Sequence, residues 1–159
     1  MEQVYRGWYL TPTGTPAGQE TVFGRFAMVL GVGVDMVELG EFTRLCGDLD
    51  GLPDAGGAFV RRTFSDAERA QAAARHRPAE YLAGRFAAKE AVFKAVGNLV
   101  PGGYDLRMAE TLDDEGTGQP KVLATGRFAE VMARAGVREV LVSITNEDNY
   151  VVAFAVAQD

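Results

Sequence analysis

The sequence predicts an α+β fold with a mainly antiparallel sheet, and three observations support this prediction. Apolar residues alternate with small or polar ones from Met28 onward, which is the period of a β-strand. The longest stretch with helical periodicity covers 79–96, so we expect a long central helix packed on the sheet. The last β-rich runs, 140–145 and 150–157, are separated by four residues, which favours a hairpin. This order of elements favours α+β over a doubly wound sheet.

The first half of the chain contains one clear strand and two shorter helical patterns. In the strand, four apolar residues alternate with two glycines and an aspartate: Leu30, Val32, Val34 and Met36 against Gly31, Gly33 and Asp35. We expect a helix over 39–45 and a glycine-containing loop over 51–57. Ser65 and Glu68 have the spacing of a capping box, which predicts a helix from there to about Arg75.

The second half contains the long helix and most of the strands. Pro78 separates the long helix from the one before it, and Gly97 is a C-terminal stop signal. The remaining elements are a loop at 101–103, a hairpin of 106–112 and 121–124 around a turn at 113–118, a short helix over 127–134, and the final hairpin.

Composition and length indicate one folded domain. The chain has 159 residues, 47% of them hydrophobic and 24% charged, which is enough to build one core. Residues 1–27 contain a run of turn-forming residues and are expected to form an N-terminal extension to a domain over 28–159. No apolar run approaches the ~20 residues of a membrane span. No signal-peptide pattern occurs either, so we expect a cytoplasmic location and no membrane partner. The formal net charge of -6 argues against general nucleic-acid binding.

The single cysteine and the single histidine restrict the chemistry. Cys46 alone cannot form an internal disulfide or a cysteine zinc cluster, and His76 alone excludes a histidine-rich metal site. A Cys46–His76 nucleophile pair stays open as an alternative, although nothing in the sequence places the two side chains together. The ordinary interpretation is a partly buried thiol and a solvated imidazole.

Two groups of charged residues have the composition of a binding site. Asp35 lies on the glycine face of the first strand, where another backbone or a ligand can approach; the alternative is an exposed acid or a helix cap. On the long helix, Arg85 shares a face with Lys89, and Glu90 shares a face with Lys94. These residues form either a solvated surface with weak ion pairs or a site for metal and phosphate. No complete dinucleotide fingerprint or P-loop is present.

Residues 31–39 (GVGVDMVEL) and 84–97 (GRFAAKEAVFKAVG) form two further motifs. The first resembles the opening motif of the holo-acyl-carrier-protein synthases, a family of 4'-phosphopantetheinyl transferases, and the second is similar to the central helix motif of that family. The turn at 118–120 and the final hairpin are also similar to family features. The resemblance runs from about Met28 to the end of the chain.

The resemblance implies an α+β fold, usually a homotrimer with CoA at its subunit interfaces. It also implies transfer of 4'-phosphopantetheine from CoA to a serine of an apo acyl carrier protein, with release of adenosine 3',5'-bisphosphate. By this resemblance, Asp35 and Glu90 bind Mg²⁺ or Mn²⁺, Lys94 lies near the pyrophosphate, and Arg85 lies near the CoA nucleotide. The serine proton passes to Glu90 or to a water on the metal. The other implied CoA contacts are Lys89, in a supporting phosphate role, and Gly97, Pro120, Ser143 and Asn146.

The sequence departs from the family pattern at three positions. Asn146 stands where many members have a histidine, and Asn98 replaces the threonine of a common Gly-Thr-Gly. Glu41 stands where an arginine often faces the carrier, so it is expected to repel an acidic carrier, while Arg44 and Arg62 attract it. We expect an enzyme, because the implied metal and pyrophosphate ligands are intact. The alternatives are a non-catalytic homologue that binds CoA or a carrier protein, and a structural trimer subunit of a larger synthase.

Overall fold

The computed structural model describes residues 27–54, 56–97 and 105–159. Its elements are β1 (Val29–Glu38), α1 (Leu39–Cys46), α2 (Ala58–Thr63), α3 (Asp66–Ala73), α4 (Pro78–Val96), a 3-10 turn (Leu106–Met108), β2 (Ala109–Asp113), β3 (Pro120–Ala124), α5 (Gly126–Arg134), β4 (Glu139–Asn146) and β5 (Tyr150–Gln158). The strands form one sheet in the order β1-β5-β4-β3-β2, with every neighbouring pair antiparallel. The predicted α+β class is therefore confirmed. Within the described ranges, no helix is long and apolar enough to cross a membrane.

Most predicted elements are present, and the differences have local causes. The capping box forms as expected: Ser65 Oγ accepts from Glu68 N, and the Glu68 carboxylate accepts from Ser65 N. The strand predicted over 106–112 begins only at Ala109, because Asp105 caps the 3-10 turn before it. The sequence does not predict α2, whose six residues start without a side-chain cap. The extension over 1–27, apart from its last residue, lies outside the described residues, as do Asn98 and the loop at 101–103.

The helix α4 contacts the backbone of β1 directly, because two positions of β1 lack side chains. A Cβ placed on Gly31 would lie 2.0 Å from Ala95 O, and one placed on Gly33 would lie 2.0 Å from Ala91 O. Neither position accepts a side chain unless α4 moves away from the sheet. The glycine face of β1 is therefore the surface that receives α4.

The core between α1, α2 and α4 is aromatic. Four rings pack with centroid separations of 5.6 to 6.4 Å: Phe42, Phe59, Phe64 and Phe86. Cys46 belongs to this core, and burial raises the pKa of its thiol to about 11. A buried, protonated thiol is not an activated nucleophile, and His76 lies exposed at the surface. The alternative of a Cys46–His76 pair is thus wrong.

Side chains, in place of a further strand, close the outer edge of β2. The amide of Gln71 pairs with both backbone groups of Asp113: Nε2 donates to Asp113 O at 3.1 Å, and Oε1 accepts from Asp113 N at 2.9 Å. Two residues earlier, Glu68 Oε1 accepts from Thr111 N at 2.8 Å. Two residues earlier again, Lys89 Nζ donates to the strand carbonyl at 2.9 Å. Side chains of α3 and α4 thus bind outward backbone groups of the edge strand at Ala109, Thr111 and Asp113.

The face of the sheet opposite α4 is apolar and exposed. Its large hydrophobic side chains are 43% to 62% exposed: Val32, Val34, Met36, Leu123, Leu141, Tyr150 and Phe154. Along β5, these positions alternate with buried residues that face α4, as the pleat of a strand requires. Contiguous apolar surfaces of this kind mark sites of association in soluble proteins.

Candidate active site

Asp35, Glu90 and Lys94 come together where β1 meets the last turns of α4, and we call them the β1–α4 cluster. Asp35 is two residues beyond Gly33 on the same face of β1, so its side chain lies on the side of the sheet that receives α4. Lys94 Nζ donates to Asp35 Oδ1 at 2.7 Å and to Val34 O at 3.0 Å. The Lys94 side chain is 53% exposed and that of Asp35 is 17% exposed, so a ligand can reach this pair from solvent.

Glu90 is half-buried in the β1–α4 cluster and keeps its acceptor oxygens free. No group in the described ranges donates a hydrogen bond to it. Burial raises the pKa of Glu90, the charge of Asp35 raises it further, and Lys94 acts in the opposite direction. A cation between the two carboxylates would offset the repulsion that raises the pKa of Glu90. Asp35 and Glu90 therefore fit the expected Mg²⁺ or Mn²⁺.

The described ranges hold no cluster of three or more His, Cys, Asp or Glu side chains with metal-ligand geometry. This agrees with the type of metal site that the two carboxylates can form. Mg²⁺ is commonly held by one or two protein carboxylates and completes its shell with waters and substrate phosphates. A metal at the β1–α4 cluster would accordingly complete its coordination with waters or phosphate oxygens.

A second group of residues lines a pocket of about 370 Å³. The pocket lies between the first half of α4, the turn that joins β2 to β3, and the end of β4. We call it the α4–β4 pocket, and its polar and aromatic lining includes Glu80, Tyr81, Arg85, Asp113, Pro120 and Asn146. Three of the expected CoA contacts, Arg85, Pro120 and Asn146, are therefore brought together here.

Arg85 is the buried cation of the α4–β4 pocket. Its side chain is 6% exposed, its NH2 group donates to Asp113 Oδ1 at 2.5 Å, and its guanidinium carbon lies 4.2 Å from the centre of the Tyr81 ring. Its Nε is buried and has no acceptor among the described residues. The guanidinium belongs to the pocket lining, so its charge can attract an anionic ligand.

Asn146 lies on the opposite wall of the pocket. Its Nδ2 donates to Glu80 Oε1 at 2.9 Å, and Arg77 donates to the other oxygen of Glu80 at 2.7 Å. A histidine at this position would change its charge between pH 5 and 8, whereas an asparagine keeps the same hydrogen bond. Asn146 itself therefore carries no charge across the physiological pH range.

Lys89 lies in the protein interior, so its expected phosphate role is wrong. The side chain is fully buried, and Nζ binds Glu68 Oε1 at 2.8 Å and the carbonyls of Leu106 and Ala109 at 2.9 Å each. These three contacts use all three N–H groups of the ammonium. Burial raises the pKa of Glu68 and lowers that of Lys89, and each partner opposes the effect on the other. The pair is a structural link between α3, α4 and β2.

Ser143 and Gly97 lie outside the pocket lining. Ser143 is opposite Phe154 on the exposed face of the sheet. Gly97 follows the last residue of α4, three residues beyond Lys94. Their CoA contacts stay predictions.

The β1–α4 cluster and the α4–β4 pocket lie on opposite sides of α4. Lys94 binds β1, and Arg85 binds the end of β2, and these are the two edge strands of the sheet. Lys94 lies nine positions after Arg85, which corresponds to about two and a half turns, a net rotation of about half a turn, and ~13 Å of rise. Neighbouring strands are about 4.8 Å apart, so the two edges are about 19 Å apart. The charged residues of α4 thus belong to two separate surfaces.

Three residues that matter for these sites were missed from the sequence. Asp113 and Tyr81 hold Arg85, but their sequence context indicates only a turn and a helix face. Glu68 is assigned to the capping box, which it forms, and it also binds Lys89. The capping motif already explains a glutamate at position 68, so nothing in the sequence indicates that Glu68 also binds Lys89.

The residues expected to meet the carrier protein lie at the surface of α1 and α2. The side chains of Glu41 and Arg44 are 77% and 78% exposed and lie 3.9 Å apart. Arg62 is also exposed, and its Nε donates to Ala58 O within its own helix. A pair this exposed contributes little to stability, so both charges are available to a partner.

Comparisons with known proteins identify the family. The model of the 4'-phosphopantetheinyl transferase superfamily matches residues 31–155. The holo-[acyl-carrier-protein] synthase of Desulforudis audaxviator is 40% identical over 132 residues, which cover 82% of this chain and 93% of the relative. The crystal structure of that enzyme from Neisseria meningitidis aligns with a TM-score of 0.70 and 32% identity over 83% of this chain and 100% of the other. The structure from Bacillus anthracis in complex with CoA (3',5'-ADP) aligns with a TM-score of 0.63 and 29% identity over 84% and 99%. The chain therefore belongs to the 4'-phosphopantetheinyl transferase superfamily, and within it to the holo-acyl-carrier-protein synthases.

Proposed function

We propose that this protein transfers 4'-phosphopantetheine from CoA to a serine of an apo acyl carrier protein and releases adenosine 3',5'-bisphosphate. The observation that carries the proposal is the β1–α4 cluster, which presents two carboxylates and one ammonium group at a solvent-accessible junction. The names of the relatives, one of them a complex with CoA, support CoA and a carrier protein as the two substrates.

In the proposed reaction, the serine oxygen of the carrier attacks the pyrophosphate phosphorus that bears the pantetheine arm, and the P–O bond to the adenosine bisphosphate breaks. Asp35 and Glu90 would hold a Mg²⁺ ion, which would supply neutralisation of the pyrophosphate charge. Lys94 leaves Asp35 to donate to an oxygen of the departing phosphate, which its exposed side chain can reach. The serine proton passes to Glu90 or to a water beside it.

The α4–β4 pocket is proposed to hold the nucleotide end of CoA. Arg85 would attract a phosphate group through the charge of its guanidinium, while its Nη2 stays bound to Asp113. The lining also carries the carboxylate of Glu80, so the pocket has two acids for one cation. A ligand with several phosphate charges needs further cations from outside this lining.

Arg75 and Arg77 of the same chain, which bind Asp113 and Glu80, are two such cations. We also include a homotrimer in the proposal. In one chain, the β1–α4 cluster and the α4–β4 pocket lie on opposite sides of α4, so CoA would bridge the pocket of one protomer and the cluster of its neighbour. The exposed apolar face of the sheet gives the surface that association would bury. Light scattering at working concentration should give the mass of three chains. A monomer would contradict the shared site.

The experiment that tests the function is transfer to purified carrier proteins. The protein is incubated with CoA, Mg²⁺ and a panel of apo carriers, and intact mass spectrometry then reports the carriers. Addition of the phosphopantetheine mass to a carrier, dependent on CoA, supports the proposal. CoA binding without any transfer would indicate the non-catalytic homologue instead. Absence of both would contradict the assignment of the α4–β4 pocket.

If Asp35 and Glu90 hold one metal ion, removing either carboxylate should weaken metal binding. Asp35→Asn and Glu90→Gln should each weaken Mn²⁺ binding, measured by electron paramagnetic resonance, and each should lose most transfer activity. Melting temperatures should change little, because neither residue is fully buried. Glu41→Gln on α1 is the matched control and should bind Mn²⁺ normally. Wild-type Mn²⁺ affinity in either site variant would refute the assignment.

Carrier recognition should be unusual because of Glu41. An acidic carrier surface approaching α1 is repelled by Glu41 and attracted by Arg44 and Arg62, all exposed. Glu41→Arg should therefore lower KM for a strongly acidic carrier several-fold at low salt, and the gain should shrink as salt rises. Transfer kinetics at two ionic strengths measure this effect. Unchanged kinetics at low salt would mean that Glu41 does not face the carrier.

A further inference from the structure

Gln71 of α3 does not line the α4–β4 pocket, but its side chain binds two residues that do. Its Nε2 donates to Asp113 O at 3.1 Å, and its Oε1 accepts from Asp113 N at 2.9 Å and from the Tyr81 hydroxyl. One side-chain amide therefore holds the backbone of a strand end and the side chain of a helix residue at the same time. All of these atoms belong to the described residues, and none of them contacts the β1–α4 cluster.

The two residues that Gln71 binds are also the two that hold Arg85. Asp113 accepts from the Arg85 guanidinium at 2.5 Å, and the Tyr81 ring lies 4.2 Å beneath it. Arg75 binds the second oxygen of Asp113 at 2.6 Å, so that carboxylate has both oxygens occupied. Arg85 itself is almost fully buried and makes no hydrogen bond through Nε. Asp113 and Tyr81 thus contact the guanidinium directly, and Gln71 binds both of them.

We infer that Gln71 is a positioning residue for ligand recognition in the α4–β4 pocket. It fixes Asp113 and Tyr81, and these two residues hold the Arg85 guanidinium where it lines the pocket. The inference rests on the proposed binding of CoA in this pocket. Removal of the Gln71 amide leaves Asp113 N, Asp113 O and the Tyr81 hydroxyl without their partners, and water then enters the gap. Arg85 keeps its charge but loses its fixed direction.

The test compares CoA binding and steady-state kinetics of the full-length protein. Gln71→Met, of similar size but without the amide, should raise Kd for CoA by isothermal titration about tenfold, the loss expected from one to two hydrogen bonds. KM for CoA should rise in parallel, while kcat and KM for the carrier stay within about twofold, because the β1–α4 cluster is untouched. Gln71→Glu keeps both acceptor contacts but places an oxygen opposite Asp113 O in place of the donor, so it should also raise Kd for CoA.

Two further variants separate positioning from a general loss of structure. Gln158→Met makes the same substitution on β5, where the amide binds Glu139 at 2.8 Å, and should leave CoA binding unchanged. In an Arg85→Gln background, Gln71→Met should add little to the loss, since Gln71 acts through Arg85. A full additional loss there would overturn the inference.

The remaining outcomes distinguish this inference from the proposed function. If Arg85→Gln weakens CoA binding and neither Gln71 variant does, the pocket stands and the role of Gln71 is refuted. If Arg85→Gln also leaves CoA binding unchanged, CoA does not occupy this pocket and both statements fall. If Gln71→Met does not fold, Gln71→Glu decides: a raised Kd with unchanged kcat supports positioning, and a wild-type Kd refutes it.

Discussion

Two variants that are each nearly inactive, Lys94→Gln and Arg85→Gln, are expected to regain transfer activity when their subunits are mixed. The reason is that Lys94 and Arg85 lie on opposite sides of α4, at opposite edges of the sheet. If CoA bridges two protomers, a mixed assembly contains interfaces in which the pocket of one variant and the cluster of the other are both intact. Random equimolar mixing makes this true of about one site in four.

The measurement is transfer activity of a co-expressed pair, with native mass spectrometry to show that mixed assemblies have formed. A mixture of Lys94→Gln with Glu90→Gln is the matched control. Both substitutions lie in the β1–α4 cluster, so every protomer in that mixture has a damaged cluster and no activity should return. Mixed assemblies of the first pair that stay inactive would mean that each site is built within one protomer.

Lys89→Met is expected to destabilise the fold strongly. It removes the ammonium from a fully buried pair and leaves the Glu68 carboxylate without its counter-charge. Loss of one partner of a buried, hydrogen-bonded ion pair costs about 3–5 kcal/mol of unfolding free energy. Urea denaturation at a fixed protomer concentration measures the change.

Two comparisons identify the cause of that loss. Lys94→Met removes an ammonium from the half-exposed pair with Asp35 and should cost less than about 1 kcal/mol. Adding Glu68→Leu to Lys89→Met should restore part of the stability, because no unpaired charge then remains buried. A Lys89→Met protein with normal stability and weakened CoA binding would instead restore the phosphate role expected from the sequence.

The sequence predicts the β1–α4 junction well, because its causes are local. Gly31 and Gly33 alternate with apolar residues, and Asp35 continues the same face, so the close approach and the nearby acid follow from the period of a strand. The capping box likewise places the start of α3 correctly. These features depend on residues within a few positions of one another.

The sequence predicts less well which partners the charged residues of α4 bind, because those partners lie on elements that are distant in the sequence. Lys89 lies at the helical spacing that continues the apolar stripe of Leu82, Phe86, Phe93 and Val96. That spacing indicates that its side chain points into the core, as the structure shows. Its partner Glu68 lies on another helix, and the pairing follows only from the packing of α3 on α4. Asp113 is brought to Arg85 by the β2–β3 hairpin, which sequence spacing does not reveal.

The closed edge of β2 also limits how these molecules can aggregate. An open strand edge is a template on which a strand of another chain can add, and repeated addition produces fibres. Here the outward hydrogen-bonding groups at Ala109, Thr111 and Asp113 are already bound by Lys89, Glu68 and Gln71. A foreign strand would have to displace a buried ion pair before it could form its first bonds. Growth of the sheet in this direction is therefore blocked, whereas its apolar face remains free for an assembly that closes on itself.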